Sequence, residues 1–199
     1  MEDIASVAKL HLQAFPFFFL SFLGIRFLQE LYSGILNDTS GMAFVFEDQG
    51  QLMGFVAGTG NPQGFYKRLL RQRWWRFAWA AIWPALQKPS IIPRLLYSFS
   101  RSKGEDVHNG CATLMSLAVA PEAQGMGFGK QLVEVFLGEA ASRGCAEVNL
   151  NTDRIGNEVA NRFYQRYGFR LAHTYTTHEG REINEYHIRV SAENTPSSG

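Results

Sequence analysis

Thr113-Leu114-Met115-Ser116-Leu117-Ala118-Val119-Ala120-Pro121-Glu122-Ala123-Gln124-Gly125-Met126-Gly127-Phe128-Gly129-Lys130 is the stretch on which the reading of this chain turns. An apolar run of strand length ends at a proline, three glycines follow at alternate positions, and an amphipathic helix begins. Glycines so placed let the backbone approach a ligand closely and let successive N–H groups turn inward as an anion nest. The helix start adds four unpaired N–H groups and the positive end of its dipole. The segment therefore suits a pyrophosphate.

Two common nucleotide loops do not fit. A dinucleotide fingerprint needs glycine three residues after its second one, and here Lys130 or Leu132 stands there; a P-loop needs glycine at Gln124 and a hydroxyl residue at Gln131. What remains is Gln-x-x-Gly-x-Gly, carried by Gln124, Gly127 and Gly129 directly after an apolar strand. This resembles the acetyl-CoA signature of the GNAT superfamily of N-acetyltransferases. Residues 157–169, Asn157-Glu158-Val159-Ala160-Asn161-Arg162-Phe163-Tyr164-Gln165-Arg166-Tyr167-Gly168-Phe169, resemble the superfamily's second block. Its physics is coherent without the family. Ala160, Phe163 and Tyr167 share a helix face, Asn157 stands where a helix N-cap would, and Gly168 closes the helix before a strand. The resemblance is strong over residues 112–190 and weak over 41–59.

The resemblance implies an α/β fold of the GNAT type: a central mixed, mostly antiparallel twisted sheet flanked by helices. It implies acetyl-CoA as cosubstrate and a primary amine as acceptor. Backbone groups of Leu117 and Val119 would meet the pantetheine arm, and one such N–H would also serve as an oxyanion donor. Gln124, Gly125, Met126, Gly127, Phe128, Gly129 and Lys130 would cradle the pyrophosphate. Asn157 would contact the cofactor as well as start its helix; Lys130 reads equally as a solvated first-turn residue. Tyr164, second of the aromatic pair, would be the general acid, since a phenol stays protonated at neutral pH beside a leaving thiolate. No metal is implied.

The general base is open. Met115, Ser116 and Leu117 offer no carboxylate where family members often keep one. Glu105, Asp106, His108 and His173 are the nearby titratable groups, with His108 the named candidate, and a water chain is the alternative.

Length and composition fit one compact domain over residues 1–190, followed by a polar tail at 191–199: the chain has 199 residues, 46% of them apolar. Cys111 and Cys145 read as packed free thiols rather than a disulfide framework. An acidic Met1-Glu2-Asp3 start is unlike a secretory signal, and the apolar stretch at residues 17–28 is too short to span a bilayer and carries Arg26. A cytoplasmic protein is expected. Helical periodicity covers residues 3–15, a buried second helix ends near 36–37, and residues 42–47 and 51–59 form a hairpin. Two closing strands occupy 170–177 and 181–190. The usual first strand is missing or survives only within residues 1–4.

A second departure is an insertion at about residues 60–110. It holds all four tryptophans, Trp74, Trp75, Trp79 and Trp83, with nine of the 19 basic residues. Residues 49–104 carry no acid, so a net charge of +1 conceals a segment at +9 against a remainder at −8. Such asymmetry points to a partner. Three readings stand: the aromatics pack on the domain or on a second copy, making a homodimer, with the arginines solvated; a helix within residues 67–103 rests on an anionic membrane surface as a peripheral contact; or the segment binds nucleic acid, the last-ranked reading. Near an acceptor site, the same charge would suit an acidic small molecule such as a nucleotide-linked amino sugar. A protein or peptide amine is the alternative acceptor, and a non-catalytic CoA-binding regulatory or membrane-associated module is the alternative of another class.

Overall fold

The computed structural model describes residues 2–16, 18–87, 111–177 and 180–190. The expected candidates Glu105, Asp106 and His108, and the tail at 191–199, lie outside the described residues. Three helices open the chain: α1 (Glu2–Ala14), a single turn α2 (Phe19–Phe22) and α3 (Gly24–Asn37). Residues 2–4 belong to α1, so the expected remnant of a first strand is not there. The hairpin follows as β1 (Gly41–Asp48) and β2 (Gln51–Thr59), joined by the two-residue turn Gln49-Gly50. Helix α4 (Phe65–Gln87) leads towards β3 (Cys111–Val119); α5 (Phe128–Ser142), β4 (Glu147–Asp153), α6 (Glu158–Tyr167), β5 (Arg170–Thr176) and β6 (Glu182–Arg189) complete the order.

The six strands form one sheet in the order β1-β2-β3-β4-β6-β5. β3 and β4 pair parallel, and the other neighbours pair antiparallel. Among the described residues β1 and β5 are the outer strands.

Each face of the sheet has its own core. Val7, Ala8 and Leu10 of α1, Phe27, Leu28 and Leu31 of α3, and Phe65, Leu69 and Phe77 of α4 pack together with Phe55 and Ala57 of β2. On the other face Leu132, Val133 and Phe136 of α5 and Tyr164 of α6 pack with Val56, Leu114, Val148 and Tyr186. Phe136 is fully buried, and a Cβ at Gly58 would lie 2.7 Å from its ring and 2.1 Å from the Thr113 carbonyl oxygen. Backbone cannot yield as a side-chain tip does. Gly58→Ala is therefore expected to lower the unfolding free energy by about 1–3 kcal/mol, the usual cost of overpacking, read from a urea titration.

Helix α4 corrects the reading in which the tryptophans pack on the domain for Trp74, Trp75 and Trp79; the Trp83 side chain and residues 88–103 lie outside the described residues. Its inward residues are Phe65, Leu69 and Phe77, while Trp74 and Trp79 are 66% and 74% exposed and Trp75 is also exposed. The arginines are not all solvated either. Arg76 Nε lies 2.9 Å and Arg73 3.7 Å from the Glu30 carboxylate of α3, and Arg68 Nε lies 3.3 Å from Asp38. Cys111 and Cys145 are buried free thiols, as expected. Among the described residues no helix is long and apolar enough to cross a membrane.

Candidate active site

The site begins where two strands part. β3 and β4 pair from Cys111↔Glu147 to Leu114↔Leu150 and then stop, although β3 stays on β2 as far as Gly54↔Val119 and β4 stays on β6 as far as Asp153↔Ile183. At the parting, the β2–β3 register jumps from Ala57↔Ser116 to Gly58↔Leu114, which leaves Met115 as an extra residue. A bulge of this kind bends its strand. Beyond it, the Ala120 N–H donates to the Met53 carbonyl oxygen at 2.8 Å. Backbone polar groups alternate sides along a strand, so Leu117 and Val119 point theirs away from β2 and into the gap. The two positions named from the sequence thus stand on the free edge.

The glycine loop follows directly. Residues Pro121–Ala123 form a 3-10 turn, Gln124 is extended, and Gly125 and Gly127 take φ of +80° and +87°. Space is not what demands glycine at these two, since an added Cβ would meet nothing within 4 Å; the left-handed backbone is. Gly129 is different, because it sits inside α5 with ordinary room beside Phe163 and Val119. Gly127 is the helix N-cap and has no side chain to satisfy the first turn. The N–H groups of Gly125, Gly127, Phe128 and Gly129 have no acceptor among the described residues. Phe128 stacks on Phe46 with ring centroids 4.1 Å apart and so fastens the loop to the hairpin. Met126 is exposed, the Gln124 amide reaches the Val119 carbonyl oxygen only at 3.5 Å, and Lys130 lies 3.6 Å from Glu134 one turn along α5.

A cleft of about 400 Å³ occupies the gap. His11, Phe15 and Tyr66 of the first helical layer line it, as do Ser116 and Leu117 of β3, and Asn157 and Tyr164 on the α6 side. It therefore passes between the parted strands from one face of the sheet to the other. Tyr164 is buried against Phe163, Phe169 and Tyr186. Burial raises its pKa well above the usual 10, so the phenol stays protonated throughout the neutral and mildly alkaline range. Its hydroxyl has no hydrogen-bond partner among the described residues. Asn157 occupies the N-cap position of α6 without making a side-chain capping bond; its amide donates instead to Thr152 Oγ1 at 2.6 Å. The residue that ties α6 to the sheet is Asn161, which donates to the Asp153 carbonyl oxygen and accepts from Asn184 and Tyr186.

Of the expected bases, only His173 is described. It lies on outer strand β5, 3.4 Å from Glu185 with its side chain 57% exposed, and it does not line the cleft. The sequence reading missed two cleft residues, Arg181 and His11, and the Tyr32 hydroxyl that holds His11 from behind. Arg181 forms a two-pronged pair with Asp153 and covers the Phe18 ring. Tyr32 of α3 meets the Nδ1 of His11 at 2.6 Å. His11 itself is 3% exposed, and its Nε2 is buried with no hydrogen-bond partner. An unpaired buried polar atom costs about 1–3 kcal/mol. The signal lay in the spacing: His11 falls four residues after Val7 and four before Phe15, on an otherwise apolar helix face.

Comparison with known proteins agrees with this architecture. The family model described as Acetyltransferase (GNAT) family matches residues 4–169. Among solved structures, a GNAT-family protein from Desulfovibrio desulfuricans is 16% identical, with 96% of this chain and 94% of that chain covered and a TM-score of 0.62. The ribosomal-protein-S18-alanine N-acetyltransferase of Escherichia coli is 17% identical over 96% and 90% of the two chains, at a TM-score of 0.58. An aminoglycoside 6'-N-acetyltransferase complexed with coenzyme A is 13% identical over 98% and 93%, at 0.59. Comparison with curated protein sequences returns no match. The chain belongs to the GNAT family of acetyltransferases.

Proposed function

We propose that this acetyltransferase moves the acetyl group of acetyl-CoA to a primary amine that enters the cleft from the α1 and α4 side. One observation carries the reading: a cleft through the sheet, edged by free β3 backbone, with β3 running on directly into a loop with four unpaired N–H groups. Gln124 to Lys130 would take the pyrophosphate through backbone donors, and Lys130 would contribute only by leaving Glu134. Leu117 and Val119 would hold the pantetheine arm and polarise the thioester carbonyl. Tyr164 would donate a hydrogen bond to sulfur as the C–S bond breaks. Its raised pKa makes outright loss of the proton to a thiolate near 8.5 uphill, so stabilisation by hydrogen bonding is the larger part of its role.

The acceptor is best sought among acidic amines, because residues 49–104 are cationic and α4 supplies Tyr66 to the cleft. Amino sugars linked to nucleotides fit that chemistry, with protein N-terminal amines as the alternative. The test is thiol release from acetyl-CoA with both classes of amine; release that no amine accelerates would favour a binding module instead.

A second reading concerns location. On α4 the outward side carries Lys67, Arg71, Trp74, Trp75 and Trp79, a cationic and aromatic face that suits a membrane interface. Co-sedimentation with phosphatidylserine-containing vesicles is expected, weakening with salt and with Trp74→Ala plus Trp79→Ala. Sedimentation indifferent to lipid charge and salt would remove this reading.

A further inference from the structure

We propose that His11 is the catalytic base, taking the proton from the acceptor amine at Nε2 while Tyr164 meets the departing sulfur from the opposite face of the sheet. The inference rests on the acetyl-transfer reading above. Three observations support it.

His11 and Tyr164 belong to different layers, one in α1 and one in α6, and both line the single cleft that threads between β3 and β4. A thioester carbonyl held on the β3 edge would lie between them. Elimination is the second support. The titratable groups lining this cleft are His11, Tyr66, Tyr164 and Arg181, with no carboxylate among the described residues. Arginine stays charged, and tyrosine is protonated at neutral pH. Among the described lining residues the imidazole alone is in its proton-accepting form there. The third is orientation. Nδ1 is held 2.6 Å from the Tyr32 hydroxyl. In the tautomer that carries its proton on Nδ1 and donates it to Tyr32, which is the tautomer that base catalysis here requires, the ring presents Nε2 as an acceptor, and Nε2 is the atom left without a partner. An incoming amine N–H would supply that partner.

The step balances without a further reactant. The amine lone pair forms the C–N bond, Nε2 accepts the proton shed by nitrogen, and the C–S electrons leave with sulfur as a thiolate hydrogen-bonded by Tyr164, which takes up a proton from solvent to become the free thiol. Imidazolium then returns its proton to solvent.

Burial lowers the His11 pKa to about 4, so the ring is neutral throughout the neutral range. The groups facing it are Tyr32 of α3, Ser116 of β3, Tyr66 of α4 and Tyr164 of α6, with the Arg181–Asp153 pair beyond Phe18. A neutral base contributes above its pKa and is lost as pH falls through it. The ratio of wild-type to His11→Gln rate should therefore be constant near neutrality and fall towards one at the acid end.

The experiment uses the full chain with acetyl-CoA and four acceptors: water, spermidine, glucosamine 6-phosphate and an alanine-ended peptide. Thiol release is followed against pH, and acetyl-CoA affinity is measured by calorimetry. His11→Gln is expected to lose about a hundredfold in rate with every acceptor that turns over, water included, while affinity stays within twofold. Tyr32→Phe keeps the imidazole but frees it, and should slow the reaction less while shifting the acid limb. A wild-type rate and profile in His11→Gln, or affinity lost together with rate, would overturn the assignment; so would an unmoved limb in Tyr32→Phe if His11→Gln does not fold. Failure of the wild-type protein to bind acetyl-CoA would instead strike the underlying reading of function.

Discussion

Tyr164→Phe is expected to slow acetyl transfer about a hundredfold, the lower end of what a positioned acid supplies, and to leave the protein as stable as before. Both halves follow from the surroundings of the ring. Phe163, Phe169 and Tyr186 grip its apolar body, and phenylalanine fills the same volume. The hydroxyl makes no bond to the described residues, so removing it leaves no buried group unpaired. Its pKa stands well above 10, and the loss should therefore be the same across neutral and mildly alkaline pH. Single-turnover thiol release and a thermal melt check the two halves separately. A variant with undiminished turnover would reduce Tyr164 to a core aromatic.

Gly127→Glu is expected to weaken acetyl-CoA binding more than a hundredfold. The backbone there sits at φ +87°, where a side chain costs about 1–2 kcal/mol, and nothing in the surrounding structure blocks the side chain itself. The fold should survive that cost. The new carboxylate, however, would stand at the N-terminus of α5 among the unpaired N–H groups of Gly125, Phe128 and Gly129. It would occupy them as a cap and repel a pyrophosphate. Two like charges 4 Å apart at an effective dielectric of 20 cost about 4 kcal/mol, and 1.4 kcal/mol is tenfold in affinity. Gly129→Ala is the contrasting case, because an ordinary contact awaits its Cβ.

The parts of this fold that were legible in the sequence are those set by local rules. The proline before the loop, the alternate glycines and Gly168 each mark an element boundary where the structure has one. The free backbone edge at Leu117 and Val119 also stands where the family resemblance implied available backbone groups. What failed depended on which neighbour a side chain meets. Trp74, Trp75 and Trp79 share α4 with Phe65, Leu69 and Phe77, and periodicity does not say which aromatic stripe faces the sheet. The structure buries the second stripe, with Phe77 against Phe27 and Arg76 drawn to Glu30. His11 was hidden for a related reason. On a helix face between Val7 and Phe15 it reads as core, and its meaning comes from Tyr32, twenty-one residues away. Asn157 and Asn161 show the same limit: the first looked like the functional cap, yet the second carries the network to Asp153, Asn184 and Tyr186.

Calorimetric titration of acetyl-CoA into the purified full chain, repeated with Gly127→Glu, tests the loop and the cleft together. Saturable binding to one site per chain in the wild type, abolished in the variant, is the predicted result. No binding to the wild type, or equal binding to both proteins, would contradict the placement of the cosubstrate and the roles assigned from it.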